Sequence, residues 1–279
     1  MTDSVAELLR LPLGPVDLAA IDPRGIPGFD GDKAAGKRAL AALGAPLADL
    51  QERLYAESKA GGTRRILIVL QGMDTSGKGG VVRHSLADLD PQGIALASFK
   101  APTDQEREHD FLWRIEQRLP AAGMVGVFDR SHYEDVLIAR VRALVEESEI
   151  ECRYDAINEF ERRVVADGVT VVKCMLHISK EQQKERLLAR LDDLTKHWKF
   201  NPGDIDERSK WDDYQQAYER ALERCNTSPA PWYVIPSDRK WYRNWAIAKL
   251  LLEHLQVLGP QWPVADFDVE EQKARLADS

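Results

Sequence analysis

The sequence predicts an α/β fold: a mainly parallel, five-stranded sheet with helices on both faces. Two patterns carry this expectation. Five short apolar runs rich in β-branched residues lie at 64–71, Ile94–Phe99, Met124–Phe128, Val169–Leu176 and Trp232–Ile235. Continuous runs of that length belong to strands buried on both faces, as in parallel sheets. Between them, helical periodicity falls over about 78–89, 104–119, 132–147, 151–167 and 180–191. Strands that alternate with helices imply crossovers packed on the two faces of one sheet.

The elements follow in order. Residues 1–43 are rich in Gly, Pro and Ala and predict an extended N-terminal arm against the body. Leu47, Leu50 and Leu54 space a helix over about Pro46–Lys59, which Gly61 and Gly62 end. Thr103-x-x-Glu106 and Ser179-x-x-Gln182 have the form of capping boxes at helix starts. The polar segment 192–210, with Pro202 and Gly203, breaks the strand–helix rhythm. A last amphipathic stretch runs from Tyr242 to Leu258. The organisation predicted is an extension over 1–43, one domain over 44–268 and a tail over 269–279.

Composition narrows the function. The chain has 279 residues, 44% hydrophobic and 30% charged, so it can bury a core and is not a disordered chain. Its net charge of −8 (38 Lys and Arg against 46 Asp and Glu) argues against general nucleic-acid affinity but leaves room for a local basic cleft. No apolar run approaches the roughly 18 residues that a membrane helix needs. Met1–Arg10, with Asp3 and Glu7, does not resemble a secretion signal. Cys152, Cys174 and Cys225 are far apart and form no zinc-type spacing, so they are expected to be incidental thiols. A cytoplasmic protein is the expectation.

The first apolar run leads into Gly72-Met73-Asp74-Thr75-Ser76-Gly77-Lys78-Gly79-Gly80, which fits G-x-x-x-x-G-K between a strand and a helix. Such a loop wraps backbone N–H groups around phosphate oxygens, and the lysine adds a full charge. The Ser or Thr that usually follows the lysine, and helps to hold Mg²⁺, is replaced by Gly79. An acidic residue inside a phosphate loop repels phosphate unless a cation stands between them. Asp74 is therefore the candidate Mg²⁺ ligand, the alternative being a turn-capping Asx residue.

A second acidic site follows at Asp129, where the run 125–128 ends, with Arg130 beside it. Aspartates at that place hold Mg²⁺ in P-loop enzymes, and open α/β sheets bind ligands at the carboxyl ends of their strands. Arg186 and Arg190, four apart, share a helix face, and Lys196, Trp198 and Lys199 follow. They predict a basic cover over phosphates, or else a solvated charged face. Trp198 either stacks on a base or packs. Lys100, Arg83 and His84 lie where they could touch a long anion.

Assembled, these residues resemble the polyphosphate kinase 2 family over about Asp30–Asp268. The likeness rests on 72–80, 99–103, 128–130, 196–204 (Lys-His-Trp-Lys-Phe-Asn-Pro-Gly-Asp), 211–214, Ala230-Pro231-Trp232 and Lys240-Trp241-Tyr242-Arg243. In that family the aspartate within the loop and the glycine after its lysine are normal. The resemblance implies a three-layer P-loop kinase fold with a helical lid over about 184–210. It implies transfer of a phosphoryl group between inorganic polyphosphate and purine nucleotides with Mg²⁺, for which Mn²⁺ can substitute, in a homodimer or homotetramer.

Asp74, Lys78, Asp129 and Arg130 match the family's catalytic positions, with Asp74 and Asp129 as the metal pair. Gly72, Thr75, Ser76, Gly77, Gly79 and Gly80 form its phosphate loop, and Arg186 and Arg190 match its lid-side arginines. The stretch 131–137, which includes Glu134, resembles the branch that acts on both nucleoside mono- and diphosphates, AMP, ADP, GMP and GDP. Two other functions compete: an ATP-dependent small-molecule kinase on the same core, and a polyphosphate-binding protein without turnover.

Overall fold

The computed structural model describes residues 4–279, so Asp3 lies outside the described residues. Five parallel strands form one sheet: β1 (Arg65–Gln71), β2 (Ile94–Ser98), β3 (Val125–Asp129), β4 (Val169–His177) and β5 (Trp232–Pro236). Their order is β2-β3-β1-β4-β5. The strand before the glycine loop is thus central, flanked by β3 in the register Leu70↔Asp129 and by β4 in the register Gln71↔Met175. The chain leaves β1 toward one edge and later returns to its other side. That reversal opens a crevice at the carboxyl ends of β1 and β3.

Alternation along β1 explains the unbroken apolar run. Ile66, Ile68 and Leu70 join the core beneath the helices Lys33–Lys59 and Lys240–Leu258. Leu67 and Val69 join the core on the opposite face, beneath Glu147–Ala166 and Trp211–Arg224. Both faces are covered, so neither needs polar residues. The edge strand β2 departs from this pattern: it is half-exposed and Leu96 faces outward.

The N-terminal segment lies against the body, in part as helix. Residues Val5–Leu9 form a helix whose first N–H groups, on Val5 and Ala6, bond to the Glu253 carboxylate at 3.2 and 2.8 Å. Beyond it, Arg10 bridges to Tyr233 and Leu11 N–H donates to Trp232 at 2.8 Å, so the segment shields the β5 edge. The helix predicted from Pro46 begins earlier, at Lys33, with Asp32 as its cap and Pro46 inside it. The expected boundary at 43/44 falls within this helix.

The helix expected over 104–119 is interrupted. Its capping box forms, but only Asp104–Arg107 and Trp113–Glu116 are helical. The Asp110 carboxylate accepts from Leu112 N–H at 2.9 Å, a local turn that competes with the helix ladder. The tail carries a short helix, Val269–Ala277, with no buried residue. Among the described residues no helix is long and apolar enough to cross a membrane. Cys174 and Cys225 are buried thiols and Cys152 is exposed.

Candidate active site

The loop 72–77 leaves β1 and turns into the helix Lys78–Ser85. Three of its residues adopt positive φ: Gly72 at 150°, Thr75 at 66° and Gly77 at 107°. Gly77 permits what other residues resist. A Cβ there would lie 1.7 Å from Nη1 of Arg243, whereas a Cβ on Gly79 would meet nothing within 4 Å. Gly77→Ala should therefore cost about 1–3 kcal/mol through backbone strain and displacement of Arg243. Gly79→Ala, on the first helical turn, should be neutral or up to about 1 kcal/mol stabilising. Thermal melts of the two variants check this, and equal melting temperatures would sink it.

The loop is braced from below. From the helix Lys180–Leu191, capped by Ser179, the Gln183 amide donates to the Asp74 carbonyl at 3.2 Å. Arg186 donates to the carbonyls of Thr75 and Ser76 at 2.8 and 3.1 Å, and to Asp238 at 3.0 Å. This corrects the expectation that Arg186 and Arg190 present a common face over phosphates. Arg186 is 7% exposed and bound to backbone carbonyls. A long charged side chain on an amphipathic helix looks the same in sequence whether water or a neighbouring loop satisfies it. Arg190 does face the segment 192–210, donating to the Lys199 carbonyl at 3.1 Å and pairing with Asp204 at 3.4 Å.

Above the loop, Lys78 bonds the Gly72 carbonyl at 2.7 Å. Burial and the nearby Arg130 push its pKa down, while Asp74, Glu134 and Asp129 pull it back up. All three carboxylates therefore lie within electrostatic reach of one ammonium. Arg130 has φ 66°, a sharp left-handed turn at the end of β3, and pairs with Asp74 at 3.0 Å. Desolvation disfavours its charge, but Glu134 and Asp74 outweigh this and the pKa is raised. Glu134 is shifted up by burial, partly offset by Arg130 and Lys78. Left-handed non-glycine residues at Thr75 and Arg130 concentrate backbone strain beside this cluster.

The cluster opens into a cavity of about 220 Å³, walled by Gly72, Asp74, Arg130, Glu134, Asp204 and Tyr218 among others. Asp129, at the end of β3 in register with Leu70, stands off this wall, as does Lys78. The segment 192–210 folds as the 3-10 turn Leu194–Lys199 and the helix Gly203–Ser209, from which Gly203, Asp204 and Glu207 reach the cavity. There Lys196 pairs with Asp193 at 2.6 Å, and Lys199 lies 4.9 Å from the Trp198 ring centre. Trp198 is 79% exposed, so it is not packed in a core. Arg83, His84 and Lys100 are exposed and lie off the cavity wall.

Asp74 and Asp129 are oxygen donors of the type that Mg²⁺ takes. Among the described residues no three His, Cys, Asp or Glu side chains converge to hold an ion alone. Mg²⁺ is ordinarily held by one or two carboxylates with waters and substrate phosphates, which is the donor set that Asp74 and Asp129 offer.

Sequence reasoning missed Asp204, Glu207, Tyr214 and Tyr218 as cavity residues. Tyr214 and Tyr218, four apart on Trp211–Arg224, carried a helical signal that core packing explains equally well. It also gave no role to Arg243.

The family model described as polyphosphate kinase 2 matches residues 30–262. An AMP/ADP-polyphosphate phosphotransferase of Meiothermus ruber is 46% identical over 252 residues, covering 90% of this chain and 93% of that protein. An ADP-polyphosphate phosphotransferase of Rhodopseudomonas palustris is 40% identical, covering 78% of each. The crystal structure of polyphosphate kinase 2 from Arthrobacter aurescens TC1 superposes with a TM-score of 0.97 at 55% identity, covering 100% of this chain and 98% of that one.

Proposed function

The chain belongs to the polyphosphate kinase 2 family and is a phosphotransferase, and from that premise we propose that it moves a phosphoryl group between inorganic polyphosphate and AMP or ADP, with Mg²⁺. GMP and GDP are included as acceptors. A cytoplasmic location, expected from the character of Met1–Arg10, and a homodimer or homotetramer, which rests on the family resemblance alone, complete the proposal. The single observation that supports the reaction best is the open cavity walled by Asp74, Arg130 and Glu134, with Arg130 paired to Asp74 at 3.0 Å at the mouth of the glycine loop.

Transfer is in line: a terminal phosphate oxygen of the nucleotide attacks the end phosphorus of polyphosphate, or the reverse. Such an acceptor is already ionised, and the reaction needs positioning and charge neutralisation more than a base or a protein nucleophile. Lys78 and the loop N–H groups hold the phosphoryl group. Arg130, kept cationic by Asp74 and Glu134, offsets charge that develops on it. Asp74 and Asp129 would hold Mg²⁺, which would supply further neutralisation of phosphate charge.

The test is an end-point assay with Mg²⁺ and polyphosphate, offering AMP, ADP, GMP and GDP separately. AMP should yield ADP and ATP, and omission of Mg²⁺ should abolish the yield. No nucleotide product from any acceptor overturns the reading. Turnover of ATP with an organic acceptor and indifference to polyphosphate would favour the small-molecule kinase.

A further inference from the structure

The motif Lys240-Trp241-Tyr242-Arg243 has no part in the site as described, yet its arginine lies directly beneath the phosphate loop. Arg243 is 2% exposed. Its Nη1 donates to the Ser76 carbonyl at 2.8 Å, and its Nε and Nη2 donate to the Asn244 side chain at 3.2 and 2.8 Å. Among the described residues no carboxylate forms an ion pair with it, whereas Arg114, also buried, pairs with Asp135 at 3.2 Å. A buried guanidinium without an anion is costly, because desolvation is repaid by a close opposite charge. Here the nearest strong charge is a second buried cation. Arg186 also bonds the Ser76 carbonyl, and burial and Arg186 together press the Arg243 pKa downward. Arginine nevertheless keeps its proton in proteins.

The geometry indicates on which side an anion would balance this charge. In a trans peptide the C=O and the following N–H point in opposite directions. Two guanidinium groups draw the Ser76 carbonyl inward, so the Gly77 N–H points outward, to the side where a phosphate loop receives its ligand. Gly77 and Gly80 have no side chains to separate that side from Arg243. A Cβ on either would lie 1.7 or 2.8 Å from the guanidinium. The glycines thus leave only backbone between the buried cation and the anion.

We propose that Arg243 is a positioning residue whose uncompensated charge, set under Ser76–Gly80, is balanced by the polyphosphate end held above the loop. It orients the Gly77 N–H through the Ser76 carbonyl and adds a second positive charge to that of Lys78, without touching the substrate. The proposal rests on the polyphosphate reading of this site.

Calorimetric binding of tripolyphosphate to the full chain tests it, with Arg243→Met, Arg243→Lys and Lys78→Met beside the wild type. Thermal melts show which variants are folded. Arg243→Met should weaken tripolyphosphate binding at least tenfold, and Arg243→Lys, which gives up the two-pronged bond to Asn244 but keeps the charge, should recover most of that loss, staying within about threefold of wild type. Equal weakening in both variants would mean that the shape of the guanidinium matters and not its charge, and would overturn the proposal. So would wild-type affinity in Arg243→Met. If Arg243→Met does not melt cooperatively, the neutral hydrogen-bonding variant Arg243→Gln takes its place under the same criteria. Failure of the wild type itself to bind tripolyphosphate would instead overturn the polyphosphate reading.

Discussion

Lys78→Met should lower phosphoryl transfer by about 10²–10³-fold or more while the protein still melts near the wild-type temperature. Two features separate these outcomes. Among the described residues no carboxylate pairs with the ammonium, while Asp74, Glu134 and Asp129 all favour its charge, so that charge is not committed to one structural ion pair. Its one hydrogen bond is to the Gly72 carbonyl at 2.7 Å, at the mouth of the loop, while the base of the loop is held by Arg186, Gln183 and Arg243. Methionine keeps most of the stem length and removes the charge. Activity loss should appear in kcat as well as KM, because a phosphoryl group in transit carries charge that the lysine meets in the transition state. Near-normal turnover would remove Lys78 from the mechanism. A large fall in melting temperature would mean that the lysine is a structural group.

Much of the fold was legible because its signals are local. A strand covered on both faces needs an unbroken apolar run, and β1 has one. The helix Lys180–Leu191 matches its expected bounds because its start is written in Ser179, whose hydroxyl accepts from Gln182 N–H at 3.1 Å. The phosphate loop, with Asp129 and Arg130, was legible because both motifs sit at the ends of recognisable strands. What was not legible depends on partners distant in sequence. Nothing near Arg186 announces that it bonds the carbonyls of Thr75 and Ser76, 111 and 110 residues away. Arg243 is 167 residues from Ser76, and a lone arginine in an apolar helix gives no sign of which loop it supports. The early start of Lys33–Lys59 was hidden by glycine and proline, poor helix formers that tertiary packing overrides. Gly36 there packs against the Trp241 ring so closely that a Cβ would lie 2.1 Å from it.

Lys173→Met should destabilise the protein by about 3–5 kcal/mol, the usual cost of breaking a buried ion pair by removing one partner. Lys173 lies in β4 with 0% exposure. Its ammonium bonds Glu161 at 2.6 Å, the Tyr133 hydroxyl at 2.9 Å and the Cys225 carbonyl at 2.6 Å. Glu161 also accepts from the Tyr133 hydroxyl at 2.7 Å and meets His132 at 3.2 Å. The single substitution leaves this carboxylate desolvated and without its strongest partner. Adding Glu161→Met removes the orphaned charge and should recover a large part of the loss, which a urea-melt comparison of the single and double variants measures. The pH dependence has a definite sign. Burial raises the Glu161 pKa, but Lys173 and His132 lower it further, and the net shift is downward. Its contribution is therefore complete above the unfolded carboxyl value of about 4.3 and is lost as pH falls through the depressed folded value. Wild type should lose stability below about pH 4 more steeply than the double variant. The same network holds His132 and Tyr133, two and three residues beyond Arg130, so Lys173→Met should also lower activity by loosening the strand-end turn that aims Arg130 at Asp74. Unchanged urea midpoints for Lys173→Met would show that the pair contributes nothing to the folded state, and the link from core to active site would fall with it.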